Sequence, residues 1–369
     1  MGNLFYMKIL LVTGIFPPDI GGPATYIPNL ARYLKKKGHE VRILTLANDT
    51  KKQLSDEFQI IRIQRKLPKP LRMILVITFI AFISKDFKVF ANGLHEEVGI
   101  SLVLRKRHAL AKIVGDPVWE RSRNIGSTKL NIVDFNLSRQ PLKVRAQRKL
   151  IAFSLNRFTG VTAPSLELCS LIKSWKVKKL ITFLANGTNI KEVTEKPQYR
   201  YDLICISRLV SWKNIKIHID IANEIGMSLA IVGTGPEEKE LKSYAKAKNC
   251  EVTFLGEKNK SQIETLLRQS KVFIIMSEYE GLSFSLLEAM SFGLPAIVSD
   301  IPSNTSVIRN GEDGVVLKIE NWQSRIIEIE ELFKNEQKYQ LYSTNVKQRI
   351  QKDFNEEKQF AITEKLLSL

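Results

Sequence analysis

Residues 8–46, KILLVTGIFPPDIGGPATYIPNLARYLKKKGHEVRILTL, hold the pattern that decides the fold. An apolar run at 8–13 predicts a short buried strand, and a loop rich in proline and glycine follows it. Apolar residues then recur at intervals of three and four over 24–37, which predicts a helix that ends at Gly38. Residues 41–46 predict the next strand, so this segment is the strand–helix–strand unit with which a parallel sheet begins.

The alternation of strand and helix resumes after a polar segment near 190–200, where we place the interdomain linker. Between 201 and 298, strand and helix patterns follow one another at the spacing of a doubly wound parallel sheet. The predicted fold class is α/β, with two doubly wound Rossmann-like domains and a central cleft. We predict an N-terminal domain at 1–195, a C-terminal domain at 196–345, and C-terminal helices at 346–369 that pack back toward the first domain.

The composition is that of an ordinary globular protein of a reducing compartment. Apolar residues make up 44% and charged residues 25% of the 369 residues, which suffices for two packed cores. Three cysteines lie far apart in apolar runs, which predicts buried reduced thiols. The apolar stretch 9–12 is too short for a signal peptide, and the run 71–83 is shorter than the roughly 20 residues that span a bilayer. We therefore predict a cytoplasmic protein in which 71–83 is a buried or interfacial helix.

The net charge of +18 is concentrated in the first half of the chain. Residues 1–190 carry 32 Lys and Arg against 12 Asp and Glu, whereas 191–369 carry 24 against 26. A basic half suits an anionic partner such as a membrane, a nucleic acid or a phosphorylated substrate. No RNA- or DNA-binding motif occurs, and aromatic residues are not interleaved with the basic runs, which argues against nucleic acid. Solvated charge that aids solubility is the plainer alternative.

The segment 277–290, SEYEGLSFSLLEAM, says most about chemistry. The preceding apolar strand delivers Glu280 to a turn at its carboxyl end, the edge at which open α/β sheets bind ligands. Gly281 lets a ligand approach the backbone, and the amides of 282–284 open a helix suited to a phosphate. Glu288 follows in that helix, so two carboxylates flank a phosphate site, as the hydroxyls of a sugar nucleotide flank its diphosphate. The alternative is that these glutamates are solvated charges beside a helix.

Cations and glycines supply further candidates. Arg208 and Lys213 flank a turn after the first strand of the second domain, where they would neutralise a diphosphate. Glycine-containing turns follow predicted strands at 21–22 and 233–235, although neither forms a complete G-x-G-x-x-G. Surface cations and ordinary turn chemistry are the alternative interpretations.

Together these motifs resemble the retaining glycosyltransferases of the family 4 type, which have the GT-B fold. The resemblance covers nearly the whole chain and is strongest over 201–318. Its specific signature is a pair of glutamates separated by seven residues, which Glu280 and Glu288 match. The other matching features are Arg208 with Lys213, the two glycine turns, Gly38-His39-Glu40-Val41 and Phe254-Leu255-Gly256.

The resemblance implies roles for individual residues. Arg208 and Lys213 would clamp the diphosphate, Glu280 would contact the donor sugar, and all three would be catalytic. Glu288 would bind the ribose, and Gly22 would approach the phosphate from the first domain. The donor-binding residues that the resemblance implies are Gly21, Gly22, Gly233, Gly256, Lys258, Gly281, Leu282, Ser283, Phe284 and Glu288.

The chain departs from the family in the first domain, where many members carry a histidine near the donor sugar. The matching stretch is KIVGDPVWE at 112–120, in which Asp116 or Glu120 would replace the histidine as a catalytic group, unless the acceptor is held differently. Asp116 as a turn residue before Pro117 is the alternative. The four histidines lack metal-ligand spacing and no Asp-x-Asp motif occurs, so we predict no metal and no cofactor besides the co-substrate.

These features predict transfer of a sugar from a nucleoside-diphosphate sugar, held by the second domain, to an acceptor hydroxyl in cell-envelope glycan or glycolipid synthesis. The resemblance implies that the transfer retains the anomeric configuration. A sugar-nucleotide epimerase of the same fold and a non-catalytic anionic-polymer binder are alternatives. Basic runs at 35–37, 105–107 and 143–149 lie in the first domain with the apolar run 71–83. They predict peripheral docking on the inner face of the cell membrane, where the first domain would bind a lipid-linked or phosphorylated acceptor.

Overall fold

The chain folds into two compact units. The computed structural model describes residues 6–51, 57–83, 86–192 and 198–369. The first unit comprises Met1–Ala185 with Glu357–Leu369, and the second comprises Asn186–Glu356. The division falls at 185/186 rather than at 195/196, because Asn186 and Thr188 already bond to the second unit, through Leu282 O (2.9 Å) and Phe354 O (2.9 Å). Residues 193–197 of the predicted linker lie outside the described residues.

The first unit contains a parallel sheet of seven strands in the order β3-β2-β1-β4-β5-β6-β7. Its strands are β1 (Lys8–Thr13), β2 (Glu40–Ala47), β3 (Gln59–Gln64), β4 (Lys88–Asn92), β5 (Ala109–Lys112), β6 (Gly160–Ala163) and β7 (Ile181–Phe183). Its helices within 6–185 are α1 (Gly22–Lys36), α2 (Lys69–Thr78), α3 (His95–Leu104), α4 (Pro117–Asn124), α5 (Ile132–Leu137), α6 (Leu142–Leu155) and α7 (Leu166–Ser174). The order reverses between β1 and β4, as in doubly wound folds.

The second unit contains a parallel sheet of six strands in the order β10-β9-β8-β11-β12-β13. Its strands are β8 (Tyr201–Ile206), β9 (Leu229–Val232), β10 (Val252–Gly256), β11 (Ser270–Ile275), β12 (Ala296–Ser299) and β13 (Gly314–Leu317). Its helices are α8 (Ile215–Glu224), α9 (Glu238–Ala247), α10 (Lys260–Arg268), α11 (Phe284–Ser291), α12 (Pro302–Thr305), α13 (Ile326–Lys334) and α14 (Glu336–Asp353). Two parallel Rossmann-like sheets confirm the predicted fold class.

The last helix, α15 (Glu356–Ser368), packs on the first unit. Phe360 lies edge-on to Tyr26 of α1, with ring centroids 5.4 Å apart. Glu364 accepts hydrogen bonds from Tyr33 Oη and His39 Nε2, both at 2.9 Å. The prediction placed all of 346–369 there, but α14 stays with the second unit, so only 357–369 belongs to the first.

The apolar run 71–83 forms most of α2 and a π-helical turn at Phe79–Ile83. Val76 and Ile80 are buried, whereas Ile74 and Phe82 are 59% and 62% exposed, so the segment has one face in the core and one in solvent. Across the described parts of the chain, no helix combines the length and apolarity needed to cross a membrane.

Candidate functional site

The turn between β11 and α11 presents Glu280 beside Lys213. Five of the six β11 residues are buried, and the chain leaves the sheet through Met276 and Ser277, which are buried too. Lys213 lies in the single 3₁₀ turn Ser211–Lys213 that follows β8, the strand next to β11. Neighbouring parallel strands end at the same sheet edge, which is why residues 67 positions apart meet here.

Glu280 and Lys213 form a mostly buried ion pair. The ammonium of Lys213 donates to Glu280 Oε1, and the side chains are 13% and 10% exposed. Ser277 Oγ donates to the same Oε1 at 2.7 Å. These two hydrogen bonds hold the Glu280 carboxylate through its Oε1 atom. The carboxylate in turn orients the Lys213 ammonium at the carboxyl end of the sheet.

Three further buried polar side chains hold this turn through hydrogen bonds, and the sequence analysis did not predict them. Ser299 Oγ donates to the carbonyl of Ser277 at 2.6 Å, and Asn304 Nδ2 donates to Ser299 Oγ at 3.0 Å. Asn186 Nδ2 donates to the carbonyl of Leu282 at 2.9 Å. All three are at most 1% exposed, so the backbone that carries Glu280 is held by a buried polar network.

The helix α11 begins at Phe284, directly after the predicted glycine turn. Ser283 is its N-cap, with Oγ accepting from Leu286 N at 3.2 Å. Leu282 and Ser283 are buried, and Gly281 is half-buried. The N-terminal end of a helix attracts anions, so the predicted donor-binding turn lies where a phosphate would be stabilised.

Arg208, Gly233 directly after β9 and Gly256 at the end of β10 share one edge of this sheet. Arg208 is exposed and lies over the ring of Trp212, 5.8 Å from its centroid. Gly233 has φ +125°, and a Cβ there would lie 2.0 Å from the carbonyl oxygen of Ser207. Gly233 N in turn donates to Gly256 O at 2.9 Å. The first effect of Gly233 is therefore steric, since it lets the Arg208 loop pack against the next loop.

Glu288 and Lys258 complete the predicted residues of the second unit. Glu288 is half-buried on α11, and burial raises its carboxyl pKa, with Glu264 adding to the rise while Lys260 and Lys191 oppose it. A partly desolvated carboxylate is a strong acceptor for hydroxyl groups. Lys258 is half-buried in the loop that follows Gly256. The structure brings these residues together on one unit, and their assignment to donor binding stays a prediction.

In the first unit, Gly21 and Gly22 lie where predicted, at the N-terminus of α1. Gly21 has φ +147°, and a Cβ there would lie 2.9 Å from the side chain of Ile15. Among the described residues no side-chain hydrogen bond caps this helix, whose N-cap residue is Gly21 itself. Its amide end is therefore open to an anion by the same argument as that of α11.

Both carboxylate oxygens of Asp116 already accept hydrogen bonds from other residues of the fold. Asp116 is the N-cap of α4, with Oδ1 accepting from Val118 N and Trp119 N at 3.0 and 3.1 Å. Its other oxygen accepts from Asn136 Nδ2 at 3.1 Å and pairs with Arg148 Nη2 at 2.6 Å. The side chain is 0% exposed, so no lone pair faces a substrate. The geometry favours the turn-and-cap interpretation over the catalytic one.

Metal ligation is not built into the described residues: within them, no three His, Cys, Asp or Glu side chains stand together as a metal site. Metal independence itself stays a prediction.

The sequence is similar to one protein family and to several known proteins. Residues 186–349 match the model of the family described as Glycosyl transferases group 1. The chain is 28% identical over 174 residues to the uncharacterized glycosyltransferase MJ1069 of Methanocaldococcus jannaschii, covering 45% of this chain and 44% of that one. It is 24% identical over 339 residues to MJ1607 of the same organism, covering 84% of each chain. The chain thus spans less than half of the first relative and most of the second.

A solved structure shows the same fold over the full length. HepE of Anabaena, determined with UDP and glucose, superposes with a TM-score of 0.78 at 16% identity, covering 99% of this chain and 100% of that one. At this identity the likeness establishes the fold alone. The chain thus has the GT-B fold, and its residues 186–349 carry a Glycosyl transferases group 1 domain.

Proposed function

We propose that the enzyme transfers a hexose-type sugar from a nucleoside-diphosphate sugar to an acceptor hydroxyl, with retention of anomeric configuration, as in the family 4 enzymes it resembles. The observation that carries the proposal is the buried Lys213–Glu280 pair beside the glycine turn that opens α11. A cation, a carboxylate and a helix amide end at one sheet edge fit a sugar and its diphosphate.

The proposed chemistry follows from where the charges lie. The bond between the anomeric carbon and the diphosphate oxygen breaks through an oxocarbenium-like transition state, the oxygen of the acceptor hydroxyl bonds to that carbon, and the hydroxyl proton passes to the leaving diphosphate. Negative charge then grows on the leaving diphosphate, where Lys213, Arg208 and the amide end of α11 stabilise it without a metal ion. Glu280 holds Lys213 in place through Oε1 and presents its carboxylate to the sugar hydroxyls, while Glu288 binds the ribose.

The acceptor belongs, in this proposal, to the first unit and is presented from a membrane. Helix α3 packs against both α2 and α6, so these three helices form one surface. Its exposed apolar side chains include Ile74, Phe82, Val103, Leu104, Leu142 and Phe153, and its exposed cations include Arg105, Lys106, Lys143, Arg145 and Lys149. Apolar side chains interspersed with cations suit the interface of an anionic leaflet, where each cation contributes about 1 kcal/mol. The enzyme would then work at the cytoplasmic face on a lipid-linked or phosphorylated acceptor.

Nucleotide binding tests the catalytic part. The melting temperature of the full chain should rise with one of UDP, GDP or ADP, because a ligand that binds only the native state stabilises it. Arg208→Ala should weaken that response. If none of the three nucleotides stabilises the wild type, the proposal fails.

Vesicle binding tests the membrane part. Recovery with anionic vesicles should exceed recovery with neutral ones and fall as salt rises, since the Debye length is about 8 Å at physiological ionic strength. Replacing Lys143, Arg145 and Lys149 with Gln should abolish it. The matched control replaces Lys239, Lys242 and Lys246, exposed on α9 of the second unit, and should change little. Equal recovery on both vesicle types would contradict docking.

A further inference from the structure

A row of polar side chains crosses the first unit's sheet at or near the carboxyl ends of its strands. Thr13 of β1 pairs in register with Thr45 of β2 and with Asn92 of β4. Lys112 of β5 pairs with Thr162 of β6, and Asn92 and Lys112 directly follow the paired residues Ala91 and Ala111. Residues paired between parallel strands face the same side of the sheet. The row, Thr45-Thr13-Asn92-Lys112-Thr162, is at most 3% exposed at every position.

Each of the three threonine hydroxyls in the row forms a hydrogen bond with a nearby backbone carbonyl. Thr13 Oγ1 donates to Ile15 O at 2.9 Å, and Thr162 Oγ1 donates to Ala111 O at 3.3 Å. Thr45 Oγ1 bonds to Leu46 O at 3.4 Å. These hydroxyls need nothing more from their surroundings, so they are ordinary buried polar groups.

Asn92 differs from them. Within the described parts of the chain, neither its Oδ1 nor its Nδ2 has a hydrogen-bond partner, although both atoms are buried. A buried amide that loses its hydrogen bonds to water and forms none within the protein destabilises the fold. Such a group is expected where a ligand supplies the missing hydrogen bonds.

Lys112, beside Asn92, is a second incomplete group. Its side chain is fully buried, its ammonium donates to Leu184 O at 3.2 Å, and it lies 4.7 Å from the ring centroid of Tyr26. Among the described residues it forms no ion pair with a carboxylate. Burial without a counter-ion lowers the pKa of Lys112 to about 7. One hydrogen bond leaves an ammonium two donors short.

We propose that Asn92 and Lys112 together bind an anionic group of the acceptor, a phosphate or a carboxylate. The proposal rests on the proposed function only in assigning the acceptor to the first unit. The two residues end the central strands β4 and β5, at the edge where α/β sheets bind ligands. An ammonium with two open donors and an amide NH₂ match the oxygens of an anion, and the amide carbonyl can accept from a neighbouring hydroxyl.

Close packing surrounds the pair. Gly93 follows Asn92 with φ +136°, and a Cβ there would lie 2.9 Å from Gly14 N, so the turn after β4 touches the loop after β1. Because Asn92 and Lys112 are 3% and 0% exposed, an anion reaches them only when this packing opens.

The test measures anion binding by the full chain with the donor clamp removed. In an Arg208→Ala background, inorganic phosphate and, separately, acetate are titrated while the melting temperature is followed. We expect at least one anion to stabilise this parent, and which one does so distinguishes a phosphate from a carboxylate. Adding Lys112→Met or Asn92→Leu should raise the half-saturating concentration about tenfold or more, the weight of one charge-assisted hydrogen bond. Thr162→Val, from the same row, should leave it unchanged.

A second readout separates binding from a structural role. Without added anion, Asn92→Leu and Lys112→Met should melt at or above their parent, because each removes an unmet polar group. The proposal is overturned if neither anion stabilises the parent, or if the two variants respond to the anion as the parent does. Nucleotide binding by the wild type is measured apart, so its failure would sink the proposed function while leaving this site intact.

Discussion

In the first unit the candidate ligand-binding groups at the end of the sheet stand on the strands, whereas in the second unit they stand on the turns that follow β8 and β11. β8, β9 and β11 end in Ile206, Val232 and Ile275, all apolar. Their chemistry comes afterwards, in Lys213 and Glu280 among others. In the first unit β4 and β5 themselves end in Asn92 and Lys112.

The difference follows from what each sheet edge has to hold. Turn residues reach a ligand that lies outside the sheet, and glycines beside them let its phosphates approach backbone amides. Side chains on the strands are covered by the packed helices, so they are desolvated before any ligand arrives. The second unit thus carries its candidate groups on turns beside the sheet. Among the described residues, the first carries a buried Asn92 amide without a hydrogen-bond partner, next to a buried lysine that has one hydrogen bond.

The largest expected effect tests the turns of the second unit. Arg208→Ala should lower turnover about 10²–10³-fold, the scale for removing one preorganised charge-stabilising donor, with little change in melting temperature. Release of nucleoside diphosphate from the donor is the measurement. Lys216→Met is the matched control, since Lys216 pairs at the surface with Glu240, and it should keep wild-type turnover. If Arg208→Ala keeps wild-type turnover, Arg208 does not take part in the diphosphate clamp.

A smaller effect tests whether the Arg208 loop is positioned by its neighbour. Gly233→Ala should destabilise the fold by about 2–3 kcal/mol, because the new Cβ meets Ser207 O at 2.0 Å in a backbone conformation that side chains rarely adopt. Gly226→Ala, also at positive φ but with nothing within 4 Å, should cost about 1 kcal/mol. Urea denaturation compares the two. Equal losses would show that contact with the Arg208 loop contributes nothing.

A third prediction assigns different roles in donor binding to Glu280 and Glu288. Glu288→Gln should weaken nucleoside-diphosphate binding about tenfold, because a neutral amide accepts hydroxyl hydrogen bonds less strongly than a carboxylate. Glu280→Gln should chiefly slow transfer and keep nucleotide affinity. Calorimetry with the nucleotide that stabilises the wild type measures both. Equal affinity losses would contradict the division.

Sequence patterns could place the candidate residues of the second unit at one sheet edge, and their role in donor binding stays a prediction. Glu280, Gly281 and Glu288 lie on one strand–turn–helix, and Lys213 follows the neighbouring strand, so parallel topology alone brings them together. Period and spacing likewise predict both sheets. The boundary at 185/186 escaped prediction because it depends on contacts of Asn186 and Thr188 with residues about a hundred or more positions away.

The first unit's site could not be predicted in this way. Asn92 and Lys112 are single polar residues at the ends of apolar runs, and only the register of two strands shows that they are neighbours. Asp116, four residues further on, was predicted to be catalytic because it lies in the stretch where many members of the family that the chain resembles carry a histidine. Its partners Asn136 and Arg148 come from α5 and α6, whose packing no local pattern reveals.

The smallest expected effect returns to the strands of the first unit and depends on pH. The pKa of Lys112, about 7 in the folded chain, lies below its ordinary value near 10.4. Between those two values the unfolded chain binds a proton that the native chain does not, so the wild type gains stability as pH rises from about 7 to about 10. Lys112→Met lacks this dependence, and its advantage over the wild type should shrink by about 1 kcal/mol from pH 7 to pH 8. The groups that face Lys112 are Tyr26 from α1 and His95 from α3, whose Nε2 lies 3.1 Å from Lys112 O.

Urea denaturation in an anion-free buffer at both pH values gives the comparison, with Thr162→Val as the control that should titrate like the wild type. A constant difference between Lys112→Met and the wild type would mean that Lys112 stays charged in the folded chain. That would require a counter-ion already in place, and the contrast between an open second unit and an incomplete first one would then be lost. A shrinking difference, together with an anion response that needs Asn92, would instead show that the strand ends of the first unit lack a partner until an anion binds.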